Sequence, residues 1–299
     1  MYLVRVQKYS MKGIKGLILL SLLSIVIGSC FDPPEYNDIP EITFDKILFK
    51  EVPGAGTNDS LILYIDFKDG DGDLGLDQDD PFYSQDPYHS SFYFLTTPGC
   101  SVSPCDTTKV STRLVYDTED VPYVLLNTNG VPGKLVTNKT RNQTGYNYLP
   151  TYTTNNCEFY SDDRILVPEA AADASYNIID TLVDQAKNKY FVIQEPMLYK
   201  KNPNHYNIEV KFFVHEGNSG FVEYNWAKFC YEYDGRFPLL SSQSNALEGT
   251  LRYGMGNPSY LALFSVKTLR LEIRIKDRAL NVSNKISTPQ FTLDGIRVQ

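Results

Sequence analysis

Histidine, tryptophan and basic side chains are the scarce groups in this chain. The three histidines, His89, His205 and His215, stand far apart, and there is no Cys-x-x-Cys pair. That leaves no spacing suited to zinc, which takes nitrogen and sulfur ligands in a tetrahedron. The nucleophile elbow Gly-x-Ser-x-Gly, the metalloprotease run His-Glu-x-x-His and the P-loop are all absent, so no catalytic motif is legible. Carboxylate pairs such as Glu209 with Glu216 occur, but 36 acidic residues make such pairs inevitable. A glycosidase needs two of them facing across a cleft, and no spacing here marks one. The chain therefore reads as non-catalytic. Its 28 basic residues against 36 acidic leave a net charge of −8, which disfavours nucleic acid and anionic headgroups as partners.

The basic residues are also unevenly placed. Arg5, Lys8, Lys12 and Lys15 precede an uncharged run, Gly16 to Ser29, rich in Leu and Ile. That run is short for a membrane span, which needs about 20 apolar residues, and it reads as a signal peptide over residues 1–29. It ends in Ile27-Gly28-Ser29-Cys30, which resembles the lipobox of bacterial lipoproteins. The resemblance implies that Cys30 is lipidated and becomes the first mature residue, anchored stably by its acyl chains. Without the signal, 24 basic residues face 36 acidic ones, a net of −12. Residues 30–40 carry three prolines and three acids and read as an extended tether. Acidic residues so soon after the cysteine resemble the surface-export signal of Bacteroidota lipoproteins, which implies an outer-membrane, cell-surface location. In an oxidising compartment, the remaining four cysteines allow three pairings. The short loop "CSVSPC" makes Cys100–Cys105 the most plausible bridge.

Aromatic residues are plentiful, with 22 Tyr and 16 Phe, and they favour strands. Residues 41–52 and 60–67 read as strands about a Gly/Asn turn. So do 91–97, 111–117, 207–216 and 221–233. In 269–276, Leu269, Leu271, Ile273 and Ile275 alternate with Arg270, Glu272, Arg274 and Lys276, the pattern of a half-buried strand. Only 168–189 has helical spacing, with Pro168 suited to a first turn and Ile178, Leu182 and Ala186 on one face. Residues 127–163, rich in Asn, Thr, Gly and Tyr, read as long loops. Short strands with polar turns predict a mainly β fold, a β-sandwich over residues 41–299. It would carry a long loop insertion at about 80–200 and one short helix.

The most unusual stretch is "DGDGDLGLDQDD", residues 69–80, with six aspartates in twelve residues. Such a run either is a solvated loop or encloses a cation. Asp69, Asp71 and Asp73 occupy the first three ligand positions of an EF-hand-type loop, and Asp77 and Asp80 fall at its ninth and twelfth. Leu74 stands where an EF-hand has glycine, Gly75 comes one residue late, and a strand rather than a helix runs in. The run resembles the free-standing calcium loops of exported bacterial proteins. Ca²⁺ takes six to eight oxygens, and alternate residues of a tight turn can aim carboxylates at one centre. The expected structural Ca²⁺ site uses Asp69, Asp71 and Asp73, then Asp77 or Asp80, with the Gly75 carbonyl as a backbone ligand. A second stretch, "KDRALNVSN" (276–284), resembles the loop between the last strands of bacterial Ig-like domains. If both strand ends share one pole, Asp277 joins the shell; otherwise Asp277 and Asn281 form an Asx-type turn.

Together, the opening strand "IPEI", "FKDGDGDLGL" and "KDRALNVSNKI" resemble a group of surface lipoproteins of Bacteroidota. This implies Ig-like architecture and an envelope location, and carries no catalytic residue. The expected role is an accessory subunit of an outer-membrane complex with a β-barrel or other envelope protein. Protein insertion, nutrient import of the SusC/SusD type, and secretion or gliding are the candidates. The alternative is a glycan-binding surface lipoprotein.

Overall fold

Alternation of buried and more exposed side chains sets the central strands, broken in the first of them only by buried Ile62. In 59–69, Leu61, Leu63, Ile65 and Phe67 are buried while Asp66 and Lys68 face out. In 269–275, Leu269, Leu271, Ile273 and Ile275 are buried with at most 1% exposure, the half-buried strand the sequence implies. The computed structural model describes residues 35–54, 58–77, 80–242 and 245–298. The signal peptide and Cys30 lie outside these residues.

Among the described residues the chain is mainly β. It opens with β1 (Glu41–Lys50) and β2 (Asp59–Asp69). There follow β3 (Ser91–Thr96), β4 (Thr107–Tyr116), β5 (Pro122–Asn127), β6 (Tyr160–Ser161), β7 (Ile165–Pro168), β8 (Ile178–Val183), β9 (Lys189–Ile193) and β10 (Met197–Lys201). The chain closes with β11 (Ile208–His215), β12 (Phe221–Glu223), β13 (Leu247–Asn257), α1 (Tyr260–Phe264), β14 (Leu269–Ile275), β15 (Ile286–Ser287) and β16 (Arg297–Val298).

Two four-stranded sheets, in the orders β13-β2-β1-β16 and β12-β11-β14-β15, make a β-sandwich. Their inner faces merge in one core: Phe49, Leu63 and Ile65 from the first, and Phe212, Leu271 and Ile273 from the second. Tyr260 and Phe264 of α1 join that core. The sheets are built from both ends of the chain. The longest ladder pairs β2 with β13, from Asp59↔Asn257 to Asp69↔Leu247. Folding must therefore close a large loop, which residues 91–201 fill with a sheet of their own.

That inserted sheet has eight strands in the order β6-β10-β3-β4-β5-β7-β9-β8 and its own apolar clusters. The insertion thus holds more regular structure than loops. Residues 127–163 are largely irregular, yet Leu135, Val136, Tyr146, Leu149 and Tyr160 are buried. Phenol groups serve the loop backbone where a ladder is missing. Tyr160 Oη donates to the Pro150 carbonyl at 2.8 Å, and Tyr148 Oη to that of Cys105 at 2.6 Å.

Two expectations need correction. The stretch 168–189 is not a helix: it forms a 3-10 turn at Glu169–Ala171, then β8 and the start of β9. Ile178, Ile179, Thr181 and Val183 are β-branched and lose rotamer freedom in a helix. Pairing with β9 and a turn in which Asp184 Oδ1 accepts from the Asn188 amide (2.8 Å) outweigh the apparent helical face. The one α-helix among the described residues is α1. Likewise 221–233 pairs only over Phe221–Glu223. Asn225 then caps a 3-10 turn, Trp226–Phe229, by accepting from the Ala227 amide. Cys230 follows with φ 56°.

Candidate metal site at one pole of the sandwich

β2 leaves the sheet at Asp69, whose side chain is fully buried. The Gly70 amide donates to the Asn37 carbonyl at 2.9 Å, and the chain turns through Gly72 (φ 68°). Leu74 (0% exposed) drops into the sandwich core and anchors the loop. Gly75 follows with φ 92°, and a Cβ there would stand 2.2 Å from the Pro238 carbonyl oxygen. Leu76 pairs with the same segment, its amide donating to Phe237 O at 3.2 Å. The loop is thus clamped on both sides of Gly75, by two leucines and a glycine that only sterics explain.

The turn after β14 meets it. The Arg278 amide donates to Asp73 O (3.3 Å), and the Ala279 amide to Asp73 Oδ2 (3.0 Å). Tyr88 Oη donates to Arg278 O from the start of the insertion. Two segments some two hundred residues apart therefore share one pole.

Asp69, Asp71 and Asp73 each offer a carboxylate oxygen, and these atoms lie within 4.8 Å of one another. This group can hold a metal ion. Both carboxylate oxygens of Asp69 and Oδ1 of Asp73 are buried without a hydrogen-bond partner. Native proteins rarely tolerate that, because a buried polar atom without a partner costs its desolvation. Burial, followed by repulsion from Asp71, Asp73 and Asp277, pushes the Asp69 carboxyl up to about 7. Burial and then repulsion from Asp277 and Asp71 push Asp73 up to about 6. The Asp73 amide lies close enough to Asp69 to offset part of this, but its hydrogen bond goes to Asp71 Oδ1 at 3.3 Å. A cation among these oxygens removes both the repulsion and the missing partners.

The other expected ligands are placed differently. Asp277 is buried at the same pole, and its charge acts on Asp69 and Asp73. Its oxygens, however, accept from the Asn281 amide (2.7 Å) and side-chain nitrogen (2.8 Å), an Asx-type turn. Burial pushes its carboxyl up, and these bonds oppose the shift. Asn284 clasps β1, exchanging hydrogen bonds with the Ile42 backbone. The anchoring of Leu74 and Leu76 carries the chain away after Gly75, so neither Asp77 nor Asp80 belongs to the three-carboxylate group. Asp80 Oδ1 accepts from the Phe82 amide (2.9 Å) and caps the 3-10 turn Pro81–Ser84. The Gly75 carbonyl faces the Arg278 guanidinium at 3.5 Å, so Gly75 acts here through its conformation.

Among the described residues there are two disulfides. Cys100–Cys105 closes a short loop. Cys157–Cys230 ties the insertion to the segment after β12. No spacing rule distinguishes this second pair, because it depends on where the insertion returns. No family model matches the chain, and no curated protein or solved structure matches it either.

Proposed function

We propose that this chain is a non-catalytic surface lipoprotein whose Ig-like sandwich is stapled by one structural Ca²⁺ and which serves an outer-membrane complex as an accessory subunit. The observation that carries the metal is Asp69, fully buried with both oxygens lacking a partner, beside Asp71 and Asp73. The donors are all carboxylate oxygens, which suit a hard cation and not zinc. Ca²⁺ accepts an irregular shell, whereas Mg²⁺ demands a near-ideal octahedron. The structural role follows from position: the loop is clamped between the core and the turn after β14, and the ion fixes that clamp. Anchorage rests on the Ile27–Cys30 sequence. Among the described residues no helix is long and apolar enough to cross a membrane.

The test is a thermal melt of the full chain in detergent, with calcium and with chelator. An ion bound only by the folded state stabilises it by about 2.7 kcal/mol at a hundred-fold excess over Kd. The expected result is a higher midpoint in calcium, lost in Asp71→Ala. Asp69→Asn should raise the midpoint in chelator, because it removes a buried charge, while abolishing the response to calcium. An unchanged midpoint in calcium together with a wild-type melt for Asp71→Ala would reduce the run to a solvated acidic loop.

A further inference from the structure

A cleft of about 620 Å³ lies between the sandwich and the inserted sheet, far from the acidic run in sequence. Its volume is within the range of ligand sites, about 300–1,000 Å³. Tyr224, Trp226 and Tyr231 line one side, and Phe159 comes from the insertion. The rings pack as one cluster, with Tyr224 4.7 Å and Tyr231 6.0 Å from Trp226 between centroids. Tyr231 (38%) and Phe159 (41%) are exposed and face the cleft. Trp226 is 7% exposed, and its Nε1–H is buried without an acceptor.

The walls do not depend on loose loops. The Cys157–Cys230 disulfide joins them, the Cys157 amide donates to Ala227 O (3.3 Å), and Tyr199 Oη donates to Cys157 O (2.6 Å). Several of the charges beside the rings are paired. Lys201 meets Glu232, which also accepts from Tyr206 Oη, and Lys211 lies 3.5 Å from Glu209 and 3.6 Å from Glu223. Asp234 accepts from the Val210 amide at 2.9 Å. Paired charges offer little to an ion. They offer fixed donors and acceptors next to flat π faces.

We propose that this cleft binds a neutral oligosaccharide, with sugar rings against Tyr231 and Phe159 and hydroxyl groups on Glu232, Asp234 and Lys201. Sugar C–H groups carry partial positive charge and lie well on the negative face of an aromatic ring. Trp226 packs behind Tyr224 and Tyr231 with its indole nitrogen buried, so it supports the ring surface and does not itself meet the sugar. The disulfide holds the two walls in place before the ligand arrives, which lowers the ordering cost of binding. This inference depends neither on the metal nor on the lipid anchor.

Trp226 is the only tryptophan in the chain, so its emission reports on the cleft. The full chain in detergent is titrated with tetra- to hexasaccharides of glucose, xylose and mannose. The expected result is a saturable emission change with at least one of them. Tyr231→Ala and Phe159→Ala should each weaken binding about tenfold, or about 1.4 kcal/mol, with the fold unchanged by circular dichroism. Tyr148→Ala, an exposed tyrosine (50%) that does not line the cleft, should bind as wild type. No saturable change with any sugar overturns the proposal, as does an undiminished response in Tyr231→Ala. A response to hexalysine and to no sugar overturns it in favour of a peptide groove.

Discussion

Asp69 is the residue on which the acidic pole turns. Its carboxyl is pushed to about 7 by burial and by its neighbours, and Asp73 to about 6 by burial and like charge. Both lie above the ordinary 3.8. Without metal, the folded chain therefore binds protons that the unfolded chain releases. The resulting stability is fully present below about 3.8 and is lost as pH rises to about 7. In chelator, the melting midpoint should thus fall between pH 5 and pH 7.5, and a denaturant titration at each pH checks this. With calcium the carboxylates are matched by the ion, and acidification should weaken binding as protons compete. A calcium affinity that does not change between pH 7.5 and pH 5.5 would count against these ligands. Gly75 makes a second residue-scale prediction. Gly75→Ala meets both a φ of 92° and the Pro238 oxygen at 2.2 Å. The backbone alone costs about 1–3 kcal/mol, and the collision adds to it. The urea midpoint should fall accordingly. A neutral Gly75→Ala would mean that the loop shifts freely away from Pro238, so the clamp would be weak.

At the scale of elements, the two disulfides are unequal. Cys100–Cys105 spans five residues and Cys157–Cys230 spans 73. Loop-closure entropy assigns roughly 2 kcal/mol to the first and roughly 4 to the second. Cys157→Ser with Cys230→Ser should therefore destabilise the chain about twice as much as Cys100→Ser with Cys105→Ser, read from denaturant unfolding of the oxidised protein. Equal losses would show that the long bridge adds no constraint beyond the β3–β10 and β11–β14 pairings around it. The segment 178–183 shows why element type was hard to read. Leu182 alone is buried there, and Ile178, Ile179 and Val183 are 40–44% exposed. The strand is an edge strand whose apolar residues do not mark a face. A periodicity argument then sees a helix where the partner β9 has decided otherwise.

At the scale of the molecule, the proposed lipid anchor at Cys30 makes a prediction of its own. Cys30→Ser should accumulate as uncleaved precursor or leave the membrane fraction, followed by immunoblot of fractionated cells. Normal retention of Cys30→Ser would defeat the lipoprotein reading. The sandwich itself joins the two ends of the chain through β2 and β13.

Sequence by itself determined the strands whose side chains alternate, β14 above all and β2 over most of its length, because a period of two is a local property of the chain. It also determined that Asp69, Asp71 and Asp73 form one group, since three alternate aspartates spaced by glycines come together in any tight turn. Tertiary structure alone decided that Asp69 is buried without partners, that Asp73 meets Ala279, and that Asp77 and Asp80 are carried away by the anchoring of Leu74 and Leu76. It alone decided that Cys157 finds Cys230 and that Trp226 lines a cleft against the inserted sheet. These are contacts between segments far apart in the chain, and their energies depend on which surfaces the core brings together, a quantity that no local spacing contains.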